Sequence, residues 1–252
     1  MLAPLLPSGL LLLAALPSPL AQTSSTVQMS AAAGQRPVVV FDLDGTLFDN
    51  GPRTHQILVE VASKNPELHP LTSSLEALPD TGLPYLVTDI LALAEIRDPK
   101  FVKPLVEGWK ARFFTDAYQQ LDRPILGAVA YVHRLVSDGA IIVYLTGRDA
   151  PGMGAGTVES LRRFGFPVLT PKAVLVMKPS FKESDETFKA DAVAMVDRLG
   201  KVVAAFENEP RNANLFRKTW PKADSYFVDT SSNPKKKVPL DPALIRIRTY
   251  LD

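Results

Sequence analysis

Two aspartates two residues apart, Asp42 and Asp44, stand in the run Asp42-Leu43-Asp44-Gly45-Thr46-Leu47, directly after the apolar stretch Val38-Val39-Val40-Phe41. In extended chain, residues i and i+2 point to the same side, so both carboxylates face one spot. Two such acids cannot both stay ionised in a dry site without a countercharge or a raised pKa. A hard cation such as Mg2+, which takes carboxylate, carbonyl and water oxygens, would satisfy the first. The second could then keep a proton and serve as general acid, then base. Three further polar groups follow other apolar runs. Thr146-Gly147-Arg148 follows residues 141–145, a lysine (Lys178 or Lys189) follows 174–177, and Glu207-Asn208-Glu209 follows 202–206. An oxygen nucleophile, a metal, a proton donor, a hydroxyl and a cation are together the parts that phosphoryl transfer needs.

These groups need a scaffold that brings them together. The runs 38–41, 141–145, 174–177, 202–206 and 226–228 are apolar on both faces, as strands of a buried parallel sheet are. Helical patterns lie between them: Ile125, Val129, Val132 and Val136 keep one face, and Phe188, Ala192, Met195, Val196 and Leu199 another. Strand alternating with helix predicts a doubly wound α/β parallel sheet, whose ligands gather at the carboxyl ends of the strands. All four polar groups stand at such ends. Residues 50–123 break the alternation. Segments 86–96 and 101–118 read as amphipathic helices, punctuated by Pro79, Pro84 and Pro99, and a structureless loop of that length does not suit a compact domain. The expectation is a helical cap over 50–123 inserted into a core of 36–49 and 124–230. Residues 231–252 form a tail with a short helix from Asp241, and its run Lys235-Lys236-Lys237 reads as a solvated loop.

Asp-x-Asp-Gly-Thr-Leu after an apolar strand, with the three later motifs in order at strand ends, resembles the haloacid dehalogenase-like (HAD) hydrolase superfamily over about residues 37–229. The cap is matched only in its position and helical character. The resemblance implies a HAD-like Rossmannoid core, Asp42 as a nucleophile that forms an aspartyl-phosphate, and Asp44 as proton donor and later base. It also implies that the Asp44 main-chain carbonyl binds Mg2+ and that Thr146 holds the phosphoryl group. An acid at position 44 is similar to the phosphatase and phosphomutase pattern, rather than that of dehalogenases or cation pumps. Thr-Gly-Arg is similar to the form in class B acid phosphatases. Gly147, Arg148 and Lys178 are candidates for substrate contact, with bracing of the loop as the other reading of Arg148. Position before the helix leading to the fourth strand favours Lys189 over Lys178 as the third-motif lysine.

The fourth motif departs from the family pattern, which carries paired aspartates where Phe206-Glu207-Asn208-Glu209-Pro210 stands here. Glu207 is the candidate distal Mg2+ ligand and Asn208 would orient a metal-bound water. The expected function is Mg2+-dependent hydrolysis of a small phosphorylated molecule. The alternatives are a phosphomutase and a catalytically weak regulatory domain that binds phosphate or metal. His55, His69 and His133 lie at no recognisable ligand spacing.

The 252-residue composition, 46% hydrophobic and 22% charged, excludes collagen-like, disordered and multi-span membrane chains. A net charge of +1 gives no field to attract nucleic acid or an anionic membrane. With no cysteine, there is neither a disulfide nor a thiolate nucleophile. Residues 1–35 carry no charged side chain. Their seven-residue apolar run at 10–16 suits a signal-peptide core but is too short for a stable span. Export through a leader of residues 1–21, or cytoplasmic synthesis from Met29, are the two expectations. Either way residues 1–35 are expected to lie outside the fold.

Overall fold

The computed structural model describes residues 17–234 and 238–251; the apolar run at 10–16 and the lysine run lie outside the described residues. Among these, six parallel strands form one sheet in the order β5-β4-β1-β6-β7-β8. They are β1 (Pro37–Phe41), β4 (Ile141–Asp149), β5 (Ala173–Lys178), β6 (Lys201–Glu207), β7 (Asp224–Val228) and β8 (Ile245–Ile247). The fold is the expected doubly wound α/β arrangement. Central β1 is buried along its whole length, because alternate residues enter opposite layers. Val39 and Phe41 join a core containing helix α6 (Ala128–Ser137), whereas Val38 and Val40 join one built on α8 (Asp185–Leu199) and α9 (Pro210–Thr219).

The insertion carries its own apolar core. Ile57 and Leu58 of α2 (Gly51–Ser63), Ile90 and Leu91 of α4 (Val87–Leu93) and Leu105 of α5 (Pro99–Phe113) are all buried in one cluster. Its two ends are tied by the antiparallel pair β2 (Phe48–Asp49) and β3 (Arg123–Pro124). A short α3 (Thr72–Glu76) and a 3-10 segment, Asp116–Leu121, complete the insertion. Helix α7 (Ala150–Arg163) follows β4 and packs on that segment.

Two expectations about the ends are corrected. Residues 19–32 do not lie outside the fold but form helix α1 (Pro19–Ala32), with Ser18 Oγ accepting from Ala21 N at 3.1 Å as its N-cap. Leu20 and Val27 enter the core, Thr23 Oγ1 donates to Asp224 Oδ2 at 2.7 Å, and Ser24 bonds Asp138. Only two apolar residues seven apart face inward, so the sequence carries little helical periodicity; serine and threonine hydroxyls do the rest. Both candidate boundaries, Ala21 and Met29, fall inside this helix. At the other end there is no helix from Asp241. Ile245-Arg246-Ile247 alternates at the strand period and adds β8 to the sheet edge. Tyr250 then packs 6.2 Å from the Phe41 ring and donates to Thr46 O at 2.9 Å. The tail thereby braces the loop that carries Asp42 and Asp44. Among the described residues no helix is long and apolar enough to cross a membrane.

Candidate active site

Strand β1 is followed directly by Asp42, whose backbone N–H donates to Phe206 O at 3.1 Å and so fixes the residue against β6. Gly45 follows with φ 75°, a left-handed turn that favours glycine. A Cβ there would collide with the Asn208 amide, and Thr230 Oγ1 donates to Gly45 O at 2.5 Å. Asp42 and Asp44 are thus presented on a tight, doubly braced loop.

The two carboxylates have opposite surroundings. Lys189, in α8, donates to Asp42 Oδ1 at 2.7 Å and to Glu207 Oε2 at 2.6 Å, with all three groups buried. Burial pushes the Asp42 carboxyl up to about 7; Lys189 opposes this and the Glu207 and Asp44 charges add to it. The same two acids hold the Lys189 ammonium above its ordinary value despite burial. Asp44 faces the other way. Arg148 grips it through Nε–Oδ2 at 2.9 Å and NH2–Oδ1 at 2.6 Å, Arg53 adds a contact at 3.0 Å, and Asn50 Nδ2 donates at 2.8 Å. Burial alone would raise the Asp44 carboxyl, but Arg148 and Arg53 outweigh it and hold it well below the usual carboxylate range.

Behind this clamp lies a buried polar network. Arg148 also donates to Asp122 Oδ2 at 2.7 Å and Gln119 Oε1 at 2.7 Å, and Gln119 Oε1 accepts from Thr157 at 2.6 Å. Arg53 Nε sits 2.9 Å from Asp122 Oδ1, off the N–H axis, so this is an ion-pair contact rather than a hydrogen bond. Removing one member of a buried charge network leaves the others uncompensated. Asp122→Ala is therefore expected to cost about 3–5 kcal/mol of stability in urea unfolding.

These groups meet at a pocket of about 250 Å3 between core and insertion, lined by Asp42, Asp44, Gly147, Arg148, Lys178, Lys189, Glu207 and Asn208. Lys189, not Lys178, reaches Asp42. Lys178 bonds Asp185 Oδ1 at 2.8 Å and Glu183 O at 3.0 Å, farther out on the wall. A side chain on Gly147 would strike the Asp185 carboxylate. Thr146 is not brought to the pocket. It is fully buried, and its Oγ1 accepts from Arg148 N at 3.2 Å within a bulge of β4, where the pairing to β5 jumps from Thr146 to Asp149. That bulge aims Arg148 at Asp44.

Among the described residues no three His, Cys, Asp or Glu side chains converge as a metal cage. Glu207, the expected distal ligand, spends Oε2 on Lys189 and Oε1 on the backbone N–H groups of Asn208 and Glu209, at 3.0 and 2.9 Å. Asn208 is engaged by Ser231 O at 2.9 Å and Thr46 Oγ1 at 3.3 Å. Asn212, in the first turn of α9, is different. It lines the pocket and its buried Oδ1 has no hydrogen-bond partner. One carboxylate and an orphaned amide oxygen suit a cation that takes few protein ligands and keeps its waters, as Mg2+ does. Sequence reasoning missed Asn212, Asp122 and Gln119, and Arg53, which reads in sequence as a solvated charge, is instead fully buried. Only Asn212, five residues past Glu207, had a usable signal: one turn into the helix after the strand end.

No protein-family model matches the chain, and no curated protein does. Solved structures do. Protein Tyrosine Kinase A of Mycobacterium tuberculosis aligns at TM-score 0.52 and 13% identity, over 85% of this chain and 94% of its own. A structure described as a haloacid dehalogenase-like hydrolase, from Burkholderia xenovorans LB400, aligns at 0.51 and 14%, over 86% and 94%. At these identities the likeness establishes the fold alone: a doubly wound α/β core shared with these two structures.

Proposed function

We propose that the chain is an Mg2+-dependent phosphomonoester hydrolase that works through an aspartyl-phosphate at Asp42. The fold alone hosts proteins named for different chemistries, so the reading rests on the site. The observation that carries it is the buried Asp42 carboxylate at the floor of the pocket, bonded to Lys189 at 2.7 Å with a second aspartate beside it. Asp44 takes up a proton from solvent as the bound phosphoryl group draws on Arg148; an Asp42 oxygen attacks phosphorus, the ester P–O bond breaks, and the leaving oxygen takes that proton from Asp44. Water then attacks phosphorus, Asp44 takes its proton, and the bond to Asp42 breaks to release phosphate. Lys189 neutralises Asp42 as the phosphoryl dianion approaches, and Glu207 holds Lys189 in place.

Asp42, the main-chain carbonyl of Asp44 and Asn212 would hold Mg2+, with Glu207 and Asn208 in reach only on releasing their present partners. The metal when bound supplies positive charge to the transferring oxygens. Arg148 has a double part. In the resting site it keeps Asp44 ionised, and a bound phosphoryl dianion gives its guanidinium a further acceptor that competes with Asp44. Sharing Arg148 loosens the hold on Asp44 and allows it to carry the proton.

Phenyl phosphate turnover tests this: activity with Mg2+, none with EDTA, and return of activity on adding Mg2+ back. Because Mg2+ binds the ionised Asp42, whose carboxyl is raised to about 7, a proton competes below that pH. Mg2+ affinity by calorimetry is expected to be about tenfold weaker at pH 6 than at pH 8. A flat profile would show that Asp42 does not carry the competing proton. The second reading, a phosphate-binding regulatory domain with little turnover, is favoured by one observation: amides at 208 and 212 stand where acids would hold metal tightly. Phosphate binding without turnover of any monoester would select it. A phosphomutase shares the same parts and would return phosphorylated product rather than free phosphate.

A further inference from the structure

One wall of the pocket is aromatic. Trp109 and Phe113 of α5 sit 4.5 Å apart between ring centroids, Phe114 lies 5.0 Å from Phe113, and Phe181, from the loop after β5, lies 5.0 Å from Phe114. The rings run without a break from insertion to core, so they bridge the two bodies that enclose the pocket. Arg53 covers Phe113 at 3.8 Å from the ring centroid and fixes that end. The far end is open: Phe181 is 48% exposed, and Tyr85, which also lines the pocket, is 46% exposed. Exposed aromatic surface concentrated in a concave site with convergent charges marks a place where a ligand completes the packing. Lys178, 5.8 Å from the Phe181 centroid, stands where floor and wall meet. The cavity of about 250 Å3 has room for a phosphoryl group and one ring.

We propose that this wall is the leaving-group subsite, and that the pocket takes the phosphomonoester of an aromatic alcohol or phenol, its phosphoryl group at Asp42 and its ring stacked between insertion and core. This rests on the hydrolase reading above and names its substrate class. Offset and edge-to-face contacts reward a flat ring over a saturated one of equal size. A sugar phosphate would leave hydroxyls facing Phe113, Phe114 and Phe181, whose rings offer them no hydrogen-bond partner.

Binding of benzylphosphonate and cyclohexylmethylphosphonate, which carry the same anion and differ in the ring, tests this without turnover. Calorimetry on the full chain with Mg2+ is expected to give about tenfold tighter binding of the benzyl compound. In Phe181→Ala, and independently in the milder Phe114→Leu, the preference should fall to about twofold or less. Equal affinities in the wild type, or a preference untouched in both variants, would overturn the inference alone. If inorganic phosphate itself fails to bind, the hydrolase reading falls and the inference with it.

Discussion

Asp42→Asn is expected to lower hydrolysis of phenyl phosphate by at least about 10^4-fold, since loss of a nucleophile acting within a catalytic unit costs up to about 10^6. The substitution is nearly isosteric, and the amide oxygen can still accept from Lys189, so the fold should persist. It also removes a carboxyl that burial disfavours. The variant should therefore melt no lower than the wild type at neutral pH while being inert. A variant that is inactive and also unfolded would leave the chemistry undecided, so circular dichroism and thermal melting belong beside the rate. Retained activity in a folded Asp42→Asn would mean that another group attacks phosphorus.

Lys189→Met is expected to damage both activity and stability, with a characteristic pH dependence. The lysine is the cation within bonding distance of both Asp42 and Glu207, and all three are buried. Without it, two carboxylates face each other in a dry site, and the loss is about 3–5 kcal/mol at pH 7. Both acids then have folded-state pKa values above their unfolded values of about 4. Protonated, they are tolerated; ionised, they repel. The penalty should thus be small below pH 4 and grow as pH rises toward neutrality, the opposite of ordinary acid denaturation. Urea unfolding at pH 4 and pH 7 measures this directly. Adding Glu207→Leu should recover much of the lost stability, because a buried apolar pair replaces a buried charge pair at little cost. Neither change should recover turnover. A Lys189→Met variant as stable as the wild type at both pH values would mean that the triad is not built as described.

The parts of this molecule that were legible in its sequence are those written as local patterns. Apolar runs ending in acids or Thr-Gly-Arg marked central strands, and helical periodicity between them implied a parallel sheet with crossovers. The spacing of Asp42 and Asp44 drew attention to the loop that stands at the pocket. What could not be read depends on contacts between distant segments. Helix α1 is held by Thr23 to Asp224 and by two apolar side chains, a signal lost among serines and threonines. Strand β8 is three residues long and gains its meaning only from β7. The direction in which a carboxylate faces is likewise a tertiary matter. Asp44 was expected to keep a proton beside Asp42, yet in the resting site Arg53 and Arg148, nine and more than a hundred residues away, clamp it as an anion. Glu207 was expected to face a metal and instead anchors Lys189 and two backbone N–H groups. Thr146 was expected at the phosphoryl group and is instead buried away from the pocket by a bulge that no sequence rule announces.

The central claim is that Asp42 becomes phosphorylated during turnover. The most direct test is rapid acid quenching of the wild-type protein mixed with phenyl phosphate and Mg2+, followed by peptide mass spectrometry. The account predicts a phosphoryl adduct on the peptide that contains Asp42, removed by hydroxylamine as an acyl phosphate is, and absent in Asp42→Asn. Turnover with no adduct on that peptide, or an adduct mapped to another residue, would contradict it.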